Sequence, residues 1–177
     1  MQKNNKAFFL DRDGIINVPI ISNQKPFSPR KVEDFHLHPS IKKIFQKLRE
    51  HKFMIIVCTN QPDITRRLML QEQLDNMHKI ITEHLQPDAI YVCPHDNCDQ
   101  CNCRKPRPGM ILRASEEFSI DLKKSYVLGD RSSDVQAATA AGCFSIFLDY
   151  NYLEPKPAQA DYIITNLEEI LEIIPLL

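Results

Sequence analysis

At 177 residues the chain has the length of one domain, and folding at that size buries roughly two-thirds of the unfolded surface without disulfide support. Hydrophobic residues at 43% with charged residues at 25% exclude general disorder. Lys plus Arg number 22 against 23 Asp plus Glu, a net charge of −1, which argues against nucleic acid or a membrane as the main partner.

The opening MQKNNKAFFLDRDG meets charge within a few residues of its apolar stretch, unlike a secretory leader. Ala7–Asp11 then reads as a buried strand. Residues 17–39 carry Pro19, Pro26, Pro29 and Pro39 and are expected to be mostly irregular. Ser40 is placed to cap a helix whose apolar face is Ile41, Ile44, Phe45 and Leu48. Phe53–Cys58 is a second strand, and this longest apolar run is far too short to span a bilayer. A cytoplasmic protein is expected.

Leu70, Leu74, Met77 and Ile81 mark one face of another helix, and Ala89–Cys93 a third strand. Pro108 suits the first turn of a helix running to about Phe118. Ser125–Leu128 is a fourth strand. Ser132 or Ser133 would cap the next helix, and Gly142 would close it in a left-handed conformation. Cys143–Leu148 and Asp161–Ile164 are further strands, and Leu167–Ile174 a final helix.

Short apolar strands alternating with amphipathic helices predict an α/β fold. The expected form is a three-layer, doubly wound, Rossmann-like and mostly parallel sheet with helices on both faces. No repeat or long linker divides the chain, so residues 1–177 are expected to form a single domain. In such a sheet ligands bind beyond the carboxyl ends of the strands. There the sequence places Asp11-Arg-Asp13-Gly14, Thr59-Asn60-Gln61, Arg104-Lys105-Pro-Arg-Pro-Gly109 and Gly129-Asp130-Arg131-Ser-Ser-Asp134. Asp11 and Asp13 would face the same side if the extended backbone continued. Carboxylates packed together repel unless protonated or bridged by a cation, and oxygen ligands suit Mg²⁺. Independent helix or turn caps would explain single aspartates, but not the added Thr and Lys.

Four of the six cysteines (Cys93, Cys98, Cys101 and Cys103) crowd around His95, which reads as a metal site rather than a disulfide set. Cys58 and Cys143 lie in apolar runs and read as core residues.

FFLDRDG, TNQ, RKPRPGM and GDRSSD, in that order, resemble the four motifs of the haloacid dehalogenase (HAD) superfamily of phosphatases. CPHDNCDQCNCRKPRPGM resembles its zinc-bearing branch without a substantial cap domain. The resemblance implies Mg²⁺-dependent phosphomonoester hydrolysis through an aspartyl-phosphate. Asp11 would be the nucleophile and Asp13 the general acid and base. Asp11, Asp13 (through its backbone carbonyl) and Asp130 would hold Mg²⁺. Thr59 and Lys105 would stabilise the phosphoryl group, with Asn60 and Gln61 beside it. Arg104 would grip the substrate, with Arg131 and Asp134 at the rim or in support.

For the zinc loop, 93–103, the family pattern favours Cys93, His95, Cys101 and Cys103 around a structural Zn²⁺. Cys98 remains a competing ligand. A small phosphorylated substrate and a monomer are implied, with a sugar bisphosphate (D-glycero-D-manno-heptose 1,7-bisphosphate, losing its C7 phosphate) preferred. Histidinol phosphate, or a broader substrate range, is the alternative within the class. Its cationic end would want a carboxylate, for which Asp63 is a candidate. A phospho-accepting receiver-like signalling domain is the rival from another class. Arg66 and Arg67 read as solvated surface charge, and His36, His38, His51, His78 and His84 as surface or satisfied residues.

Overall fold

A computed structural model of the chain describes residues 4–177. Strand β1 (Lys6–Leu10) leads into β2 (Ile20–Ser22), β3 (Lys25–Phe27), α1 (Ile41–Glu50), β4 (Phe53–Asn60) and α2 (Gln71–Leu85). Then come β5 (Ala89–Cys93), α3 (Gly109–Glu117), β6 (Tyr126–Gly129), α4 (Ser132–Ala141), β7 (Phe144–Leu148), β8 (Tyr162–Ile164) and α5 (Ile170–Ile173). No helix among the described residues is long and apolar enough to cross a membrane.

Six strands pair in parallel in the order β5-β4-β1-β6-β7-β8, as the alternating pattern predicts. After β5 the chain returns past β1 to add β6, so the winding reverses between β1 and β6. A reversal of this kind opens a crevice at the carboxyl ends of the strands. Leu10 stands level with Val57 on one side and Leu128 on the other. The loops leaving β1, β4 and β6 therefore emerge together.

Side chains alternate across the sheet and build two cores. Phe8, Leu10, Ile55, Val57 and Leu128 pack with Ile44, Leu48, Leu74 and Met77 of α1 and α2. Phe9, Ile56, Cys58 and Val127 pack on the other face with Met110, Ala114, Ala137 and Ala138 of α3 and α4. Each fully buried large apolar side chain contributes about 1.5–3 kcal/mol relative to exposure. Cys58 and Cys143 lie in the second core, as expected.

Local details depart from expectation in readable ways. Residues 17–39 contain an antiparallel hairpin in which Ile20 pairs with Phe27 and Ser22 with Lys25. Its turn residues Asn23 and Gln24 sit at φ 51° and 58°, the left-handed pair that matches hairpin twist. Ser40 does not cap α1: it is itself helical (φ −84°, ψ −8°) and donates its hydroxyl to Glu168 at 2.7 Å. Helix α4 starts at Ser132, so Arg131 holds the cap position and neither serine does. Leu70 precedes α2 and is exposed; Leu74, Met77, Ile81 and Leu85 form the buried face. The final helix is one α-turn between two 3-10 turns, Leu167–Glu169 and Ile174–Leu176. Gly142 closes α4 at φ 78°, the left-handed cap the sequence predicts.

Candidate active site

Asp11 is the first residue beyond β1, tied to β6 by its N–H donating to the Leu128 carbonyl at 3.0 Å. Its Oδ1 accepts the Arg12 backbone N–H at 2.7 Å and lies 2.9 Å from Lys105 Nζ. Lys105 is buried, also donates to the Cys58 carbonyl at 2.8 Å, and stands 2.6 Å from Asp134 Oδ1. Asp130 follows β6. One carboxylate oxygen each from Asp11, Asp130 and Asp134 lie within 4.8 Å of one another. Asp134, expected at the rim or in support, is 1% exposed and belongs to this buried centre, which fits support and not the rim.

Burial pushes the Asp11 carboxyl up to about 6, against the pull of Lys105. Burial, then the charges of Asp11 and Asp134, raises Asp130 well above the ordinary carboxylate range. Burial works to lower Lys105, but Asp11 and Asp134 outweigh it and its ammonium is held protonated. One lysine pairs with two of the three acids. Asp130 Oδ2 accepts the Tyr152 hydroxyl at 2.8 Å, while its buried Oδ1 has no hydrogen-bond partner. A buried, unpartnered carboxylate oxygen among other acids fits a hard divalent cation such as Mg²⁺. Gly14 is required twice over: its φ is +86°, and a Cβ there would collide with the Asp130 carboxylate.

Asp13 stands apart from this cluster. The Arg12 carbonyl accepts the N–H groups of Ile15, Ile16 and Asn17, so the extended run ends at Leu10 and the chain turns. The continued extended backbone on which Asp11 and Asp13 would share a side is therefore absent. The fully buried Arg12 grips the Asp13 carboxylate with Nε (3.0 Å) and Nη2 (2.9 and 3.0 Å). Ser28 Oγ and Gln61 Nε2 donate to its Oδ2 at 2.7 and 2.9 Å.

Gln61, expected beside substrate, is buried and also donates to Thr59 Oγ1 at 2.8 Å, so it links two site residues. Thr59 is buried at the end of β4. The Asn60 amide brackets the Lys105 backbone, donating to its carbonyl at 3.0 Å and accepting its N–H at 3.1 Å. Arg131, expected at the substrate, forks onto Glu154 at 3.0 and 2.5 Å.

In the loop after β5, Cys93 Sγ, His95 Nδ1, Cys101 Sγ and Cys103 Sγ converge. Sulfur separations are 3.6, 3.1 and 3.4 Å, and Nδ1 lies 3.6 and 3.3 Å from Cys93 and Cys103. The sulfur separations are shorter than the spacing of about 3.8 Å that tetrahedral zinc with Zn–S near 2.3 Å needs; the fit to the ion rests on the convergent three-cysteine, one-histidine donor set. Cys98 is exposed and outside the set. Arg104, next after Cys103, is held by this loop: Nε donates to Asn97 Oδ1 at 2.7 Å and Nη1 to the His95 carbonyl at 3.2 Å.

Arg66 is exposed, as expected, and is also paired. It forks onto Asp96 of the same loop at 2.6 and 2.7 Å, and this fork holds the Asp96 carboxyl down at about 2. Thr65 Oγ1 reaches the Pro94 carbonyl at 2.6 Å. Asp63, the candidate outer-site acid, is buried and paired with Arg30 at 2.7 Å and Arg66 at 3.4 Å. Arg67 stays exposed, at φ 59°. Buried His78 Nε2 has no partner, so this histidine is neither surface nor satisfied; burial, then the Arg12 charge, lowers it to about 4. Sequence reasoning passed over Arg12, Ser28 and Tyr152. Only Arg12, between two motif acids, carried a positional signal.

The HAD-hydrolase-like family model matches residues 102–170. The chain is 34% identical over 173 residues to a D-glycero-alpha-D-manno-heptose-1,7-bisphosphate 7-phosphatase of Campylobacter jejuni, covering 94% of each chain. To a D-glycero-beta-D-manno-heptose-1,7-bisphosphate 7-phosphatase of Escherichia coli K12 it is 33% identical, covering 80% of this chain and 77% of the relative. A crystal structure of D,D-heptose 1,7-bisphosphate phosphatase from B. bronchiseptica, complexed with magnesium and phosphate, superposes with a TM-score of 0.82. That pair shares 26% identity over 97% of this chain and 98% of the other.

Proposed function

Because the chain belongs to the heptose 1,7-bisphosphate 7-phosphatase family of HAD-like hydrolases, we propose that it removes the C7 phosphate of D-glycero-D-manno-heptose 1,7-bisphosphate. The observation that carries this reading is the buried Asp11–Lys105 pair at the winding reversal, beside the unpartnered Asp130 oxygen.

Asp11 attacks phosphorus and becomes the aspartyl-phosphate. Its Oδ1 is held by Arg12 N–H and Lys105, and neither contact uses Oδ2. The leaving alkoxide needs a proton near neutral pH, and Asp13 gives it, then takes one from the water that cleaves the phosphoenzyme. The separation of Asp13 from the acidic cluster suits two carboxyls with opposite tasks. Arg12, Ser28 and Gln61 fix where the Asp13 carboxyl stands. Lys105 and Thr59 meet charge developing on the phosphoryl oxygens. Asp11 and Asp130 would hold Mg²⁺, with the Asp13 carbonyl, while Asp134 serves mainly as the second partner of Lys105. The cation supplies charge that offsets repulsion between the attacking carboxylate and a dianionic phosphate.

Arg104 receives the phosphate left on the sugar, because a guanidinium held by two loop contacts presents its remaining N–H groups without further ordering. The zinc loop delivers Arg104 and Lys105 together. A histidinol-phosphate reading loses its anchor, since Asp63 is neutralised by two arginines. We place this single-domain enzyme in the cytoplasm as a monomer. Phosphate release from both anomers of heptose 1,7-bisphosphate, from the monophosphate and from histidinol phosphate, each with and without Mg²⁺, tests the reading. Preference for the bisphosphates with strict Mg²⁺ dependence supports it, and faster turnover of histidinol phosphate overturns it.

A further inference from the structure

The segment following β7, residues 149–156, lies across the ends of β1 and β6 as a strap. Tyr150 Oη donates to the Gly14 carbonyl at 3.0 Å, and Tyr152 Oη to Asp130 Oδ2 at 2.8 Å. The two rings stack with centroids 5.5 Å apart, so one ring fixes the other. Leu153 N–H donates to the Gln24 carbonyl in the β2–β3 turn, Glu154 takes the Arg131 fork, and Lys156 closes onto Asp149 at 2.6 Å. The strap is thus anchored at the first motif, at the fourth, and at the hairpin.

We propose that Tyr152 is a positioning residue for Asp130, its hydroxyl fixing the carboxylate so that Oδ1 is presented to Mg²⁺; this rests on the phosphatase reading above. A carboxylate free about its last torsion offers either oxygen, or both, to a cation. In Asp130 one oxygen accepts Tyr152 and the other, buried, accepts nothing. Gly14 packs against the same carboxylate, where any Cβ would displace it. The Tyr152 donor therefore selects the oxygen and the plane, while stacking on Tyr150 keeps the donor from swinging away. Partners that orient a metal ligand typically change metal affinity about 10- to 100-fold when removed.

The test is Mg²⁺ titration of the zinc-loaded full chain, without substrate, by calorimetry and by the rise in melting temperature. Tyr152→Phe keeps the ring and its stacking and removes only the donor. Tyr150→Phe removes the matching hydroxyl without touching Asp130. The expected result is a Mg²⁺ dissociation constant raised about 10- to 100-fold in Tyr152→Phe and unchanged in Tyr150→Phe. Parent-like Mg²⁺ affinity in Tyr152→Phe overturns the inference while leaving the phosphatase reading intact. Equal weakening in both variants also overturns it, since the strap as a whole would then be responsible. Failure of the parent chain to bind Mg²⁺ overturns the phosphatase reading, and the inference with it.

Discussion

The Lys105 ammonium lies 2.9 Å from Asp11 Oδ1, with the lysine 5% and the aspartate 8% exposed. Removing one member of a buried ion pair leaves the other without compensation, at a cost of about 3–5 kcal/mol. Here Asp134 loses its partner as well. Lys105→Met is expected to lower the unfolding free energy of the metal-free protein by about that amount, measured by denaturant titration. Turnover should fall at least about 100-fold, as when a donor to a developing anion is deleted. Unchanged stability would mean that the pair is not buried in solution.

Asp11→Asn is expected to abolish phosphate release while the protein still folds. Because burial raises Asp11 from 3.8 to about 6 in the metal-free fold, its contribution to stability is fully present below about pH 4 and is lost as pH rises through 6. Denaturant midpoints of the parent should therefore drop relative to Asp11→Asn across that window, without Mg²⁺. A gap that stays constant with pH contradicts the burial of an ionisable Asp11.

The Cys93, His95, Cys101 and Cys103 set predicts one zinc per chain by metal analysis of the purified protein. Metal binding and folding are coupled in such sites. Cys93→Ser is expected to cost more than about 4 kcal/mol, whereas Cys98→Ser leaves zinc content and stability at the parent values. Zinc loss in Cys98→Ser would reassign the ligands.

Arg104 forms no ion pair with any described residue; its contacts are to Asn97 and the His95 carbonyl. Loss of a charge-assisted hydrogen bond is worth about 1.5–3 kcal/mol. Arg104→Met should therefore raise KM for the bisphosphate by about 10- to 100-fold and leave a simple aryl phosphate almost unaffected. Equal losses on both substrates would show that Arg104 acts on the reacting phosphate instead.

The strand-end motifs were legible because a parallel sheet brings the ends of β1, β4 and β6 together whatever the loops do. Asp11, Thr59 and Asp130 met for that reason, Lys105 arrives on the loop after β5, and Cys-x-His with Cys-x-Cys announced the zinc loop. Side-chain partnerships across loops were not legible. Arg12 looks like an exposed arginine until the turn after Leu10 folds it beneath Asp13. Arg66 meets Asp96 only because the zinc loop lies against the loop after β4. Tyr152 sits in a stretch with no motif, and its meeting with Asp130 depends on the path of the strap. Ser40 and Leu70 misled at helix starts, where one residue of shift separates a cap from a first turn.

The most direct test asks where the phosphoryl group goes. On the proposed roles Asp13→Asn removes the group that activates water, so an aryl phosphate, whose leaving group needs no proton, should load the enzyme and stall there. After acid quench with Mg²⁺ present, mass spectrometry of the peptide containing Asp11 should show a phosphoryl increment on that residue, absent in the Asp11→Asn, Asp13→Asn double variant. Phosphate release with no modified peptide, or an increment that persists in the double variant, would contradict the account.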